Sequence, residues 1–213
     1  MDQADNNPYA APQVSLVENA EAKKLDGWSP GRLQVLGCLN LVSAFGSLVA
    51  LGLALMAGFL GDAALETLSA WLGPALTLLS SYLMLQLKLF AEQRFAARHL
   101  SKSTWAVVCL GLLVMTLDLL WKDELGELGW QMFGYLALLA VYGVLLAWWG
   151  VRLRQVQNVY PAFRLMAWLE LIGGLMLASV ILLLPAMLPL TGASIATAWV
   201  FFQAAAEQKR QGA

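Results

Sequence analysis

The sequence predicts an all-α fold, an integral membrane bundle of six transmembrane helices in three hairpins, with both termini in the cytoplasm. Sixty per cent of the 213 residues are apolar and only 13% are charged, whereas soluble domains carry about 25% charged residues. Six long apolar stretches alternate with short polar segments. Lipid leaves only helices or closed barrels as spanning structures, and these stretches are too long for barrel strands.

The basic residues decide the predicted orientation. Twelve of the 13 Lys and Arg residues lie before the first apolar stretch, around the junction of stretches 2 and 3, around the junction of stretches 4 and 5, or after the sixth stretch. Only Lys122 lies between stretches 3 and 4. Cytoplasmic loops carry an excess of Lys and Arg, so both termini are predicted to be cytoplasmic. Most of the tryptophans fall near predicted span ends, where aromatic residues gather at membrane interfaces, and they support the same arrangement.

The first span follows a polar segment, residues 1–28, which is predicted to be a cytoplasmic tail. Ser15 and Glu18 fit a capping box, so the tail either contains a short amphipathic helix or is solvated chain. Span 1 begins at Ser29-Pro30, because Ser is a favoured N-cap and Pro at the first helical position loses no hydrogen bond. Its apolar run, 33–60, exceeds the roughly 20 residues that a bilayer core requires, so it must tilt or project.

The five remaining spans are predicted from the later apolar stretches. A short surface helix at 62–71 is expected before span 2, and Ser103 is a candidate cap of span 3. Pro185 and Pro189 predict a tight turn before a short span 6, which Thr191 caps. The transmembrane domain is predicted at 29–206 and a cytoplasmic tail at 207–213. Spans 2 to 6 are placed at about 72–90, 104–121, 130–151, 165–184 and 191–206.

The first and third hairpins have similar ends. One opens with Pro30-Gly31-Arg32-Leu33 and the other with Pro161-Ala162-Phe163-Arg164-Leu165. Either the hairpins are repeats of parallel orientation, or three hairpins solved the same interface problem separately. Both readings stay open.

Span 1 contains a row of small residues at every fourth position: Gly46, Ala50, Ala54 and Gly58. Small residues at this spacing let two helix backbones approach closely in lipid. This helix-packing seam predicts either packing within the bundle or an interface with a second copy or another membrane protein.

A second candidate site is a group of polar residues in the cytoplasmic halves of four spans. Charged groups at membrane depth are costly and usually face the bundle interior. Glu170 and Lys88 are expected at similar depth, where they would pair. The predicted intramembrane polar cluster is Asn40, Gln86, Lys88, Glu170 and Gln203. It is either a structural ion pair, with Lys88 reaching the interface, or a path for protons or a substrate.

Enzymatic and nucleic-acid functions have no support in the sequence. Recognisable catalytic, metal-ligand and phosphate-binding motifs are absent, so we expect no enzyme activity, cofactor or metal. Cys38 and Cys109 fall inside predicted spans and are expected to pack as small apolar residues. Basic residues are scattered at helix ends rather than massed on one face, which does not favour nucleic-acid binding.

The segment Asn7-Pro8-Tyr9-Ala10-Ala11-Pro12 resembles the tail of many small, uncharacterised multi-pass inner-membrane proteins of Gram-negative bacteria. Gly27-Trp28 and Tyr160-Pro161 resemble interface motifs of such proteins. The resemblance covers a small part of the chain. It implies a bacterial inner (plasma) membrane and carries over no activity and no functional residue.

Two functions are consistent with these features. The first is a multi-pass protein of unknown activity that acts through protein partners, as an assembly factor, scaffold or accessory subunit. The alternative is a small transporter or channel that uses the polar cluster around Glu170 and Lys88. A hydrated cavity reaching those two residues favours transport, whereas a dry interior with an exposed Gly46–Gly58 ridge favours a partner protein.

Overall fold

The computed structural model describes residues 27–121 and 129–211. This part of the chain is helical and contains no strand, and six of its helices are long and apolar enough to cross a membrane. The predicted N-terminal helix at 16–25 and Lys122 lie outside the described residues. The helices are α1 Pro30–Leu60, α2 Ala63–Phe95, α3 Ser101–Leu120, α4 Trp130–Arg154, α5 Pro161–Ala178 and α6 Leu183–Gln211, with a 3-10 turn at Arg98–Leu100.

Consecutive helices run antiparallel and in contact, and α6 closes the ring by packing against α1. In pairs of contacting residues, the residue number decreases along one helix as it increases along the other, which is the pattern of antiparallel helices. Such pairs include Arg32–Gln86, Ser43–Ser80, Thr104–Trp149, Asp118–Tyr135, Gly143–Ala178, Gly150–Leu171 and Gly37–Phe202. We call the end where α1 begins and α6 ends the terminal end, and the opposite end the far end.

The predicted start of α1 is confirmed, and three other boundaries differ from the prediction. The Ser29 hydroxyl accepts a hydrogen bond from the Arg32 amide at 3.2 Å, and Pro30 is the first helical residue. Ser103, however, does not cap α3, because α3 begins at Ser101 and the Ser103 hydroxyl donates to the Leu100 carbonyl at 3.0 Å.

The expected surface helix at 62–71 is not separate from span 2. Asp62 caps one continuous helix, α2, and its carboxylate accepts from the Ala64 amide at 2.8 Å. Pro74 lies inside this helix. Because lipid offers no water to backbone groups, continuing the helix satisfies more of them than a break does.

The turn before the last span also lies earlier than predicted. The Ser179 hydroxyl accepts from the Leu182 amide at 3.2 Å, and Val180 adopts a left-handed φ of 61°. Pro185 therefore lies in the first turn of α6, where its missing amide costs no helical hydrogen bond. The sixth span is consequently a long helix of 29 residues, and it continues beyond residue 206 to Gln211.

An aromatic core fills the terminal half of the bundle. Phe90 is its centre and makes edge-to-face contacts with Trp28, Phe95 and Phe201, with ring centroids 5.5–5.8 Å apart. Trp28 and Trp149 are buried, although the sequence places them at the interface. The Trp149 indole donates to the Thr104 hydroxyl at 3.1 Å, so its polar atom is satisfied inside the bundle.

Candidate functional site

All six helices line a central cavity of about 710 Å³ in the far half of the bundle. Its deepest lining residues, including Met84 and Leu146, lie next to the aromatic core. At the other extreme the cavity reaches the last turn of α3, where Asp118 and Leu119 are exposed. The cavity therefore borders the packed rings on its terminal side, which we call its closed end, and extends to the far end.

Small side chains on α1 and α2 leave the space. Ala44, Ala50 and Ala54 line the cavity from α1, and Ala70 and Gly73 line it from α2. These residues cannot fill the interior as the Phe and Trp rings fill the terminal half. The cavity thus results from a change in side-chain size along the bundle axis.

Hydroxyl groups supply most of the polar lining. The Ser47 hydroxyl donates to the Ser43 carbonyl at 2.8 Å, and the Thr77 hydroxyl donates to the Gly73 carbonyl at 3.1 Å. Because these protons are used within the helix, the oxygen lone pairs remain as acceptors. The serine and threonine residues of the lining are Ser47, Ser69, Thr77, Ser80, Ser81, Thr191 and Ser194.

Glu170 lies at the closed end of the cavity, on α5. Its Oε2 atom is buried and has no hydrogen-bond partner among the described residues. Tyr142, on α4, lines the same part of the cavity and lies within electrostatic range of the Glu170 carboxylate. An ionised carboxylate at this depth is unfavourable without a matching group, so the site is suited to accept a proton or a cation.

Close packing of α4 against α5 holds these two residues together. A Cβ placed on Gly143 would lie 2.3 Å from the Ala178 amide nitrogen, and one on Gly174 would lie 2.4 Å from the Ala147 nitrogen. Only glycine permits this approach of two backbones. Gly111 on α3 leaves room for the Tyr142 ring, whose hydroxyl would lie 3.3 Å from a Cβ at that position.

A second pair of a carboxylate and a phenol lies nearer the far end. The Tyr135 hydroxyl donates to Asp118 Oδ1 at 3.2 Å, and both residues line the cavity. Tyr135 and Tyr142 are seven residues apart on α4, which places them on one helix face at levels separated by about 10 Å. The described lining therefore contains two carboxylates and two phenols, and one hydrogen-bonded pair of them, Asp118 and Tyr135, lies at the rim.

The structure does not bring the predicted polar cluster together. Lys88 forms an ion pair with Glu92 one helical turn away, at 3.5 Å, and Glu170 faces the central cavity. Gln86 accepts a hydrogen bond from Arg32 at 2.9 Å. Asn40 donates to the carbonyl one turn earlier in its own helix, and Gln203 Oε1 is buried without a partner among the described residues.

The helix-packing seam is divided between two environments. A Cβ on Gly46 would lie 2.7 Å from Leu76 on α2, and Ala50 and Ala54 line the cavity. Gly58 has open space around its Cβ position. Three of the four residues thus pack or line the bundle interior.

Polar contacts also join three helices at the terminal end. Arg94 is buried and its guanidinium donates to Glu207 Oε1 at 2.5 Å, while the Tyr160 hydroxyl donates to Glu207 Oε2. Burial and this hydrogen bond raise the pKa of Tyr160 to about 12. These three residues, the terminal cluster, connect the ends of α2 and α6 to the start of α5 beside the aromatic core.

Sequence reasoning missed most of this site. Its polar cluster included Glu170, but not Tyr142, Tyr135 or the serine and threonine lining. Two sequence features could have indicated this site. They are the hydroxyl residues along span 2 and the seven-residue spacing of Tyr135 and Tyr142, which places both tyrosines on one face of span 4. Comparisons with protein-family models, curated proteins and solved structures found no match.

Proposed function

We propose that this multi-pass membrane protein is a small transporter whose central cavity binds its substrate. The observation that carries the proposal is a cavity of about 710 Å³ that is lined by six helices and bordered on its terminal side by the aromatic core. This volume lies within the roughly 300–1,000 Å³ of pockets that enclose small ligands. A bundle that served only as a scaffold would gain stability by filling this space.

The proposed orientation follows from the charges. Twelve of 13 Lys and Arg residues lie at sequence junctions that belong to the terminal side, and such excess is typical of cytoplasmic loops. We therefore place the terminal end, with both chain termini, in the cytoplasm of a bacterial inner membrane, in three hairpins. The cavity then extends toward the outer surface, and the aromatic core and terminal cluster close the cytoplasmic side.

Transport requires that the closed end opens in a second state. The terminal cluster and the aromatic core are the groups that must separate, because they lie between the cavity and the terminal end. Contacts between helices that have two discrete arrangements are the usual basis of such motions.

Action through a protein partner is the other candidate function, and the sequence favours it through the small-residue seam. Gly46, Ala50 and Ala54 serve internal packing and the cavity wall in the structure. This placement supports transport over partnership, and the transporter is our conclusion.

Cysteine labelling tests the proposal. Cys38 and Cys109 are first replaced with Ala, and Ser80→Cys is introduced in the cavity, Val141→Cys on the lipid-exposed face of α4 and Ala204→Cys in the closed end. A small membrane-impermeant methanethiosulfonate is then applied to intact cells or to inverted vesicles.

We expect Ser80→Cys to react from the outer side much faster than the control, Val141→Cys. Ala204→Cys should react from the cytoplasmic side at a lower rate, because it is reached only when the closed end opens. Equal labelling rates at Ser80→Cys and Val141→Cys would contradict a water-filled cavity. Fast labelling at Ser80→Cys with none at Ala204→Cys from either side would contradict transport.

A further inference from the structure

We infer that the substrate is an amphipathic organic cation, an apolar body with an amine or ammonium group, whose charged end lies between Tyr142 and Glu170. This inference rests on the proposed function and names the substrate class of the same cavity. It is carried by the sign of the charges that line the cavity, the unmatched carboxylate oxygen at its closed end and the tyrosine within electrostatic range of that carboxylate.

Among the described residues, the charged groups that line the cavity are all acidic. Asp118 and Glu170 are the ionisable carboxyl groups among the described lining residues, and this set contains no Lys, Arg or His. Two basic side chains of α2 are matched by carboxylates, Lys88 by Glu92 and Arg94 by Glu207. A cavity with low-dielectric walls and one sign of charge concentrates ligands of the opposite sign.

One oxygen of the Glu170 carboxylate is unpaired among the described residues, in a place where a partner is expected. Buried carboxylates in proteins are usually paired or hydrogen-bonded, yet Oε2 of Glu170 has no partner among the described residues. Charged residues inside a membrane commonly serve a ligand or ion path. A cationic ligand would complete this site, and an anionic ligand would be repelled from it.

The remaining lining matches the rest of such a ligand. Tyr142 lines the same cavity within electrostatic range of Glu170, and a tyrosine ring attracts a cation over its face. Leu139, Leu146, Leu177 and Met187 provide apolar wall, which is the composition typical of sites for small organic molecules. Asp118 and Tyr135 at the rim provide a second acidic level, about 10 Å away along α4, which a cation meets first on entering.

The experiment measures binding of a matched pair of fluorescent probes to the full chain in nanodiscs of neutral lipid. Dansylcadaverine carries a primary amine on an apolar ring, and its N-acetyl derivative has the same ring without the charge. The emission change over empty nanodiscs gives the dissociation constant. Wild type is compared with Glu170→Gln, which keeps the side-chain shape, with Asp118→Asn at the exposed rim, and with Glu66→Gln, an exposed control on α2 outside the cavity.

We expect wild type and Glu66→Gln to bind the amine at least about tenfold more tightly than the acetylated probe, a preference of about 1.4 kcal/mol. Glu170→Gln should abolish this preference and Asp118→Asn should reduce it. Equal binding of both probes to wild type, or an unchanged preference in folded Glu170→Gln, would overturn the cationic substrate and leave the cavity's function intact. If Glu170→Gln fails to fold, an unchanged preference in Asp118→Asn overturns the inference. Binding of neither probe would count against both proposals.

Discussion

The Gly143→Ala substitution tests whether α4 and α5 are as close as the structure indicates. The added Cβ would lie 2.3 Å from the Ala178 amide nitrogen and 2.7 Å from the Gly174 carbonyl oxygen, whereas ordinary van der Waals contact is 3.4–4 Å. Both obstructing atoms belong to the backbone, so no side-chain rotation relieves the clash. The two helices must move apart or bend.

The expected loss of stability follows from two opposing effects. Overpacking a close interface costs about 1–3 kcal/mol, and the backbone contact places Gly143 at the upper part of that range. Replacing a helical Gly with Ala returns up to about 1 kcal/mol through helix propensity. We therefore expect a net loss of roughly 2 kcal/mol in the free energy of unfolding.

Gly134→Ala is the matched control on the same helix, because nothing lies within 4 Å of its Cβ position. Unfolding by sodium dodecyl sulfate in mixed micelles, followed by tryptophan fluorescence, measures both variants against wild type. Gly143→Ala should unfold at lower detergent fraction and Gly134→Ala should not. Coinciding curves for the two variants would refute the close α4–α5 contact. Tyr142 precedes Gly143, so the same variant should also weaken amine binding at the closed end.

Two further predictions concern the terminal cluster, and a third concerns the cavity. Glu207→Gln should lower the free energy of unfolding by about 1–3 kcal/mol, because it removes the charge that pairs with buried Arg94; the same titration checks it. Since the pKa of Tyr160 is raised to about 12, the folded protein keeps a proton there that the unfolded chain loses near pH 10. Stability should therefore fall between about pH 10 and 12, and a Tyr160→Phe variant with an equally steep fall would contradict this assignment. The third prediction compares a cationic trimethylammonium thiol reagent with its anionic sulfonate counterpart. The ratio of the cationic to the anionic reaction rate should be larger at Ser80→Cys than at an exposed cysteine, and equal ratios at the two positions would contradict a negative potential in the cavity.

The number and order of the spanning helices could be predicted from the sequence, but several of their ends could not. Apolar stretches of sufficient length indicate a spanning helix whatever surrounds them. The joining of 62–71 to span 2 and the early turn at Ser179 depend on how backbone groups are satisfied at the membrane surface. Proline is tolerated in the first turn of a helix and, at a cost, inside one. Pro74 and Pro185 therefore did not by themselves locate the helix ends.

The polar cluster shows the limit of reasoning by depth alone. Lys88 and Glu170 fall at similar estimated depths, and a pairing was expected on that basis. Whether two residues at one depth meet also depends on the direction in which each side chain leaves its helix axis. Lys88 forms its ion pair with Glu92 on the same helix. The rotation of a helix about its axis is set by the packing of neighbouring helices, and the spacing of residues within one span does not predict it.

The sequence by itself determined that this chain is a membrane-spanning bundle of six helices, because the length, apolarity and charge pattern of each segment act locally. Only the tertiary structure decided that small residues on α1 and α2 meet around a cavity, and that Glu170 and Tyr142 both line it. Those facts depend on contacts between segments far apart in the chain, such as glycine against backbone at the α4–α5 crossing. The physical reason is that burial in lipid is a property of a segment, whereas a binding site is a property of how segments face one another.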